Sequence, residues 1–136
     1  MNRKTLLSTL WVFVTINYLY CDLIGLMDSS LLKQYLKGSV EGMEINENFL
    51  LAAGILMEIP ISMILLSRIL KDKPNAVANL VAAFIKTSVM ALTLFLGKPT
   101  IYYLFFATIE ISTTVFILVY VIGWLKEINA LKLSVS

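Results

Sequence analysis

Residues 76–96, AVANLVAAFIKTSVMALTLFL, form an apolar run long enough to cross a bilayer as a helix, and a lysine, Lys86, stands at its middle. A lone ammonium at that depth requires a partner. The neighbouring apolar runs each supply one carboxylate, Glu58 in GILMEIPIS (54–62) and Glu110 in FFATIEISTT (105–114). The rest of the chain is read outward from this trio.

The chain has 136 residues, 59% of them hydrophobic, and a mean hydropathy of +0.85. Soluble domains carry about 45 to 50% apolar residues, so the composition indicates a membrane protein whose first partner is the lipid bilayer. A net charge of +2, spread between apolar runs, argues against a nucleic-acid surface. Cys21 is the single cysteine and histidine is absent, which removes thiol relays and the usual haem, zinc and copper ligands. No cofactor and no metal site is expected.

Taken in order, the chain reads as four spans in one domain, over about residues 5–27, 49–70, 76–96 and 100–124. Arg3 and Lys4 before the first run resemble the start of a signal peptide. That run, however, exceeds the roughly 7 to 15 residues of a signal h-region and lacks a small-x-small cleavage site, so it is expected to be retained as a helix. Within it Asn17, Cys21 and Gly25 recur every fourth residue and share one face, and Asp22 lies near the far end beside Tyr18. This face is expected to point inward.

The 28–48 connection contains DSSLLKQYLKG (28–38), in which Leu31, Leu32, Tyr35 and Leu36 gather on one side. With Asp28 or Ser29 as cap and Gly38 as terminator, it predicts a short interfacial helix. Glu41, Glu44 and Glu47 then make an acidic, solvated loop without the ligand density of a cation site, and Asn46 is placed to cap the next helix. In the second span Gly54, Glu58 and Ser62 form a small and polar stripe, and Pro60 is expected to loosen the helix beside Glu58. Pro74 suits the break before the third span, which sets Asn79, Ala83, Lys86, Met90 and Thr93 along one side. The fourth span aligns Tyr103, Ala107, Glu110 and Thr114, ends near Trp124 and Lys126, and leaves 125–136 as a tail. Arg3, Lys4, Arg68, Lys71, Lys73, Lys126 and Lys132 outnumber Lys33, Lys37 and Lys98 on the opposite side, so both termini are expected in the cytoplasm.

At a rise of about 1.5 Å per residue, Glu58, Lys86, Glu110 and Asn17 all fall near the midplane, roughly 14 to 18 Å from their helix ends. Unpaired charges there cost about 2.5 to 3.5 kcal/mol each on insertion scales, so the charged groups are expected to meet inside an antiparallel four-helix bundle. Two carboxylates around one ammonium leave one negative charge in excess, able to hold a proton or a cation. Asp22 and Tyr103 complete the candidate ligand-binding set, and no catalytic residue is assigned.

The segments INYLYCDLIGLMDSSLLKQYL (16–36) and LMEIPISMILLSRIL (56–70) resemble a family of short bacterial membrane proteins with four spans. More distantly, the layout is similar to the DoxX-like four-helix proteins. The resemblance implies an all-α inner-membrane protein without an assigned reaction. From the residues, the first expectation is a binding module for a small or lipid-like ligand, entering from the outer leaflet under the 31–37 helix; the oligomeric state stays open. The alternatives are a proton-coupled exporter, a lipid or sterol isomerase with Glu58 and Glu110 as acid and base, and an ion network that only fixes helix register. Small multidrug exporters share the span count but carry their buried glutamate in the first helix. The isomerase resembles the emopamil-binding proteins but lacks histidine and a nucleophile motif.

Overall fold

The computed structural model describes residues 2–40 and 42–135, so Glu41 of the acidic loop lies outside the described residues. The fold is all-α, with one very short ribbon: α1 (Arg3–Met27), α2 (Ser29–Lys37), β1 (Ser39–Val40), β2 (Met43–Glu44), α3 (Glu47–Ile69), α4 (Asp72–Leu96) and α5 (Ile101–Val135). Helices α1, α3, α4 and α5 are each long and apolar enough to cross a membrane.

Local chemistry sets these boundaries. Asn2 caps α1 by accepting from the Thr5 N–H at 2.8 Å, and Asn46 caps α3 by accepting from the Phe49 N–H at 2.8 Å. Asp28 caps α2, accepting from the Ser30 N–H at 3.1 Å, and Gly38 ends it at φ 82, a left-handed conformation that favours glycine. The acidic connection is not featureless: β1 and β2 pair antiparallel, with Ser39 opposite Glu44 and Val40 opposite Met43.

Two boundaries differ from expectation. Helix α4 begins at Asp72, because Pro74 falls in its first turn, where a missing N–H leaves no intrahelical bond unmade. Helix α5 runs on to Val135, since 124–135 contains no glycine or proline and half of it is leucine, lysine and glutamate, which favour helix.

Helix α4 packs along α5, α1 packs along α3 and also against α5, and α3 meets α4 more narrowly. The core joins Leu7, Trp11 and Val14 of α1, Met63 of α3, Ala82 and Ala83 of α4, and Ala107, Ile117 and Val121 of α5. Alanines on α4 let it approach its neighbours closely. The outward faces are apolar, as Phe13, Leu19, Leu51, Phe84, Phe116 and Val119 show.

Candidate functional site

Lys86 and Glu110 are brought into the interior, at 4% and 1% exposure. Each occupies the inward face of its helix: Lys86 shares the buried side of α4 with Ala82, Ala83 and Met90, and Glu110 lies one turn from Ala107 on α5. The ammonium does not form an ion pair, since among the described residues these are Arg3 with Glu127 and Lys4 with Asp72 at 3.7 Å. Instead Lys86 Nζ sits 4.2 Å from the centroid of the Tyr18 ring, a cation–π contact that Tyr18 supplies from the buried face of α1. Glu110 and Asp22 remain close enough to act on the Lys86 charge.

Two buried polar atoms beside this contact, Glu110 Oε1 and the Tyr18 hydroxyl, have no hydrogen-bond partner among the described residues. Leaving such groups unsatisfied costs about 1 to 3 kcal/mol each, more for a charged one. Towards the start of α5, the Tyr103 hydroxyl shares a hydrogen bond of 2.8 Å with Thr93 Oγ1 and lies within electrostatic reach of Glu110, Asp22 and Cys21. Tyr103 also lines a cavity of about 410 Å³ bounded by α2, the α4–α5 connection and the start of α5. Asp28 holds its rim together, one carboxylate oxygen capping α2 and the other accepting from the Tyr102 hydroxyl at 3.1 Å. Helix α2 covers the cavity because it folds back onto α1 at Gly25, where a Cβ would stand 3.2 Å from Leu31 Cδ2.

Two expected members are elsewhere. Glu58 points out of the fold and is exposed; its described hydrogen bond is the one it accepts from Ser62 Oγ, at 3.4 Å within its own helix. It does not join Lys86, because the buried face of α3 is Pro60, Met63 and Ser67, and Glu58 falls on the opposite side. The central trio is therefore corrected to Lys86, Glu110 and Tyr18, with Asp22 at its edge. Asn17 is half-buried and turns its amide back to donate to the Phe13 carbonyl at 2.9 Å, so only Cys21 and Gly25 of its expected face are buried. Asp22 opens to the surface while still acting on Lys86.

A second buried polar cluster lies nearer the chain's N-terminus. Asn79 Oδ1 accepts from Trp11 Nε1 at 2.7 Å and from Ser67 Oγ at 3.3 Å, while its amide donates to Asn75 Oδ1 at 2.7 Å. Asn75 donates to the Ser67 carbonyl, and Arg68 Nε donates to Ser8 Oγ at 3.1 Å. This cluster joins α1, α3 and α4. Its signal in the sequence is the i, i+4 pair Asn75 and Asn79 at the start of an apolar run, which the assignment of Asn75 to a turn concealed.

Neither the curated proteins nor the solved structures include one that matches this chain. A family model matches residues 1–131, nearly the whole length, and the chain thus belongs to DUF6326, a family of unknown function.

Proposed function

We propose that this chain is a polytopic membrane protein, an antiparallel bundle of α1, α3, α4 and α5 that binds a small amphiphilic ligand between the α2 cavity and the Lys86–Glu110 centre. The observation that carries the proposal is Glu110: a carboxylate at 1% exposure with one oxygen unpartnered, while the nearest ammonium is engaged with an aromatic ring. Such a group is stabilised by a donor brought from outside the chain. The α2 cavity supplies the approach, and Tyr103 belongs to both places. A ligand head group with donor and acceptor atoms suits Glu110, Tyr18 and Tyr103, and an apolar tail suits the bilayer around them.

Binding is favoured over transport because the half of the bundle holding Asn75 and Asn79 is closed by their fully buried network with Trp11 and Ser67. Acid–base catalysis by Glu58 and Glu110 is disfavoured, since the two carboxylates face opposite environments. The excess of basic residues at the termini and the α3–α4 turn supports a cytoplasmic placement for both ends, in a bacterial inner membrane as the family resemblance implies. The DoxX-like layout adds no activity to this reading.

The test is thermal unfolding in lipid nanodiscs across a panel of phospholipids, isoprenoids and cationic amphiphiles. One class should raise the midpoint by several degrees, as expected for about 2.7 kcal/mol at one hundred times Kd. The rise should be lost in Glu110→Gln and reduced in Tyr103→Phe. Stabilisation by no member of the panel, or stabilisation unchanged in Glu110→Gln, would sink the proposal.

A further inference from the structure

Helix α3 buries the smallest share of its span, 11% against 22 to 28% for the other three. None of its residues before Pro60 is buried. Its outward side carries Leu51, Gly54, Glu58, Ile61 and Leu65, all exposed, with Leu51 at 62% and Leu65 at 60%. The intervals alternate three and four, which is the heptad seam along which two helices pack with a left-handed twist. Glu58 stands at the middle of the 23-residue helix, where lipid tails offer no hydrogen-bond donor.

We propose that this seam is the seat of a second copy of the same chain, with the two α3 helices packed parallel and Glu58 facing Glu58. Among the described residues, the chain's own centre does not serve the outward carboxylate, because Lys86 is buried against Tyr18. Two copies inserted in the same sense bring Glu58 to the same depth about a two-fold axis along the membrane normal. A pair of carboxyl groups holding one proton is self-complementary, donor on one side and acceptor on the other. One turn away, Gly54 has no atom within 4 Å of the place a Cβ would occupy, which leaves room for a second backbone. A single polar residue in a heptad seam also fixes the register of the two helices. The outward face of α5, by contrast, presents Phe116, Val119 and Ile122 and is suited to lipid alone.

The experiment uses the full chain with Cys21→Ser and one introduced cysteine, Gly54→Cys or Ile61→Cys on the seam or Val119→Cys on α5. Oxidation in native membranes should give a product of twice the chain mass from the seam positions, about tenfold more than from Val119→Cys. Equal yields at all three, or a seam product of another mass, would overturn the second copy as occupant. Association is then measured by single-molecule photobleaching in vesicles. Gly54→Leu adds a side chain where the single chain has open space, so it should shift the equilibrium about tenfold towards monomer without lowering the monomer's thermal stability. Glu58→Gln retains a donor and an acceptor and should keep the dimer, whereas Glu58→Leu should lose it. An equilibrium unmoved by Gly54→Leu and Glu58→Leu would remove α3 from the interface.

Discussion

Lys86 shows how a charge buried among long apolar helices can be held without a direct ion pair. Its ammonium rests 4.2 Å from the Tyr18 ring centroid, and the Glu110 carboxylate acts on it from nearby. Replacing Lys86 by Met keeps an apolar chain of similar length against the ring but leaves Glu110 buried without its cation. Stability in detergent should fall by about 3 kcal/mol, as when one partner of a buried charge pair is removed. Adding Glu110→Gln should recover more than half of that loss, and adding Glu58→Gln should recover none, since Glu58 faces outward. Equal losses in the single and both double variants, measured by thermal or denaturant unfolding, would show that Lys86 and Glu110 do not interact. The residues at this centre were half legible in the sequence. Depth along each span singled out Lys86 and Glu110, because a charge in an apolar run is costly whatever surrounds it. Depth alone does not say which way a residue faces, and Glu58 was misplaced for that reason: Gly54, Glu58 and Ser62 form a polar stripe, but the buried stripe of α3 is Pro60, Met63 and Ser67.

At the scale of the element, α2 is the part whose role depends most on its neighbours. Its caps, Asp28 and Gly38, and its apolar side were readable from eleven residues, because capping is local chemistry. Its position over the cavity was not, since that depends on Gly25 in α1, whose small size leaves room for Leu31 to come close. The same contact can be used as a wedge. Gly25→Ala places a Cβ 3.2 Å from the far end of the flexible Leu31 side chain, which can shift by a few tenths of an ångström, so stability should change by under about 1 kcal/mol. Gly25→Leu cannot be accommodated that way and should lift α2 from the cavity. The four long helices should stay folded, with far-ultraviolet circular dichroism close to that of the parent. Ligand-induced stabilisation should be largely lost. Full stabilisation in Gly25→Leu would mean that α2 does not bound the ligand site.

For the whole molecule, four long apolar runs and their breaks were readable because length and composition alone mark a helix able to cross a membrane. The order in which the helices pack was not, because outward faces here are as apolar as inward ones and hydrophobic periodicity carries little information. Polar contacts therefore decide the assembly: the Asn75 and Asn79 cluster joins α1, α3 and α4, while Arg3 bonds Glu127 and lies over the Tyr120 and Trp124 rings, tying α1 to α5. The same end of the molecule gathers Arg3, Lys4, Arg68, Lys71, Lys73 and Lys126, and α5 extends there to Val135. At about 1.5 Å per residue, 35 residues span roughly 50 Å, well beyond a hydrocarbon core of about 30 Å, so in the proposed membrane bundle the last turns of α5 belong in water. In the orientation proposed from the positive-inside rule, that water is the cytoplasm. Labelling with a membrane-impermeant maleimide in intact cells checks it, using Asn129→Cys in α5 and Asn48→Cys at the start of α3 in a Cys21→Ser background. Both positions are exposed and both substitutions leave the charge pattern intact, which Lys71→Cys or Lys73→Cys would not, while Asn75→Cys would place its thiol in the buried cluster. Asn48→Cys should react in intact cells and Asn129→Cys only after permeabilisation. The opposite pattern would invert the molecule in the membrane and put the α2 cavity on the cytoplasmic side, where an outer-leaflet ligand could not reach it.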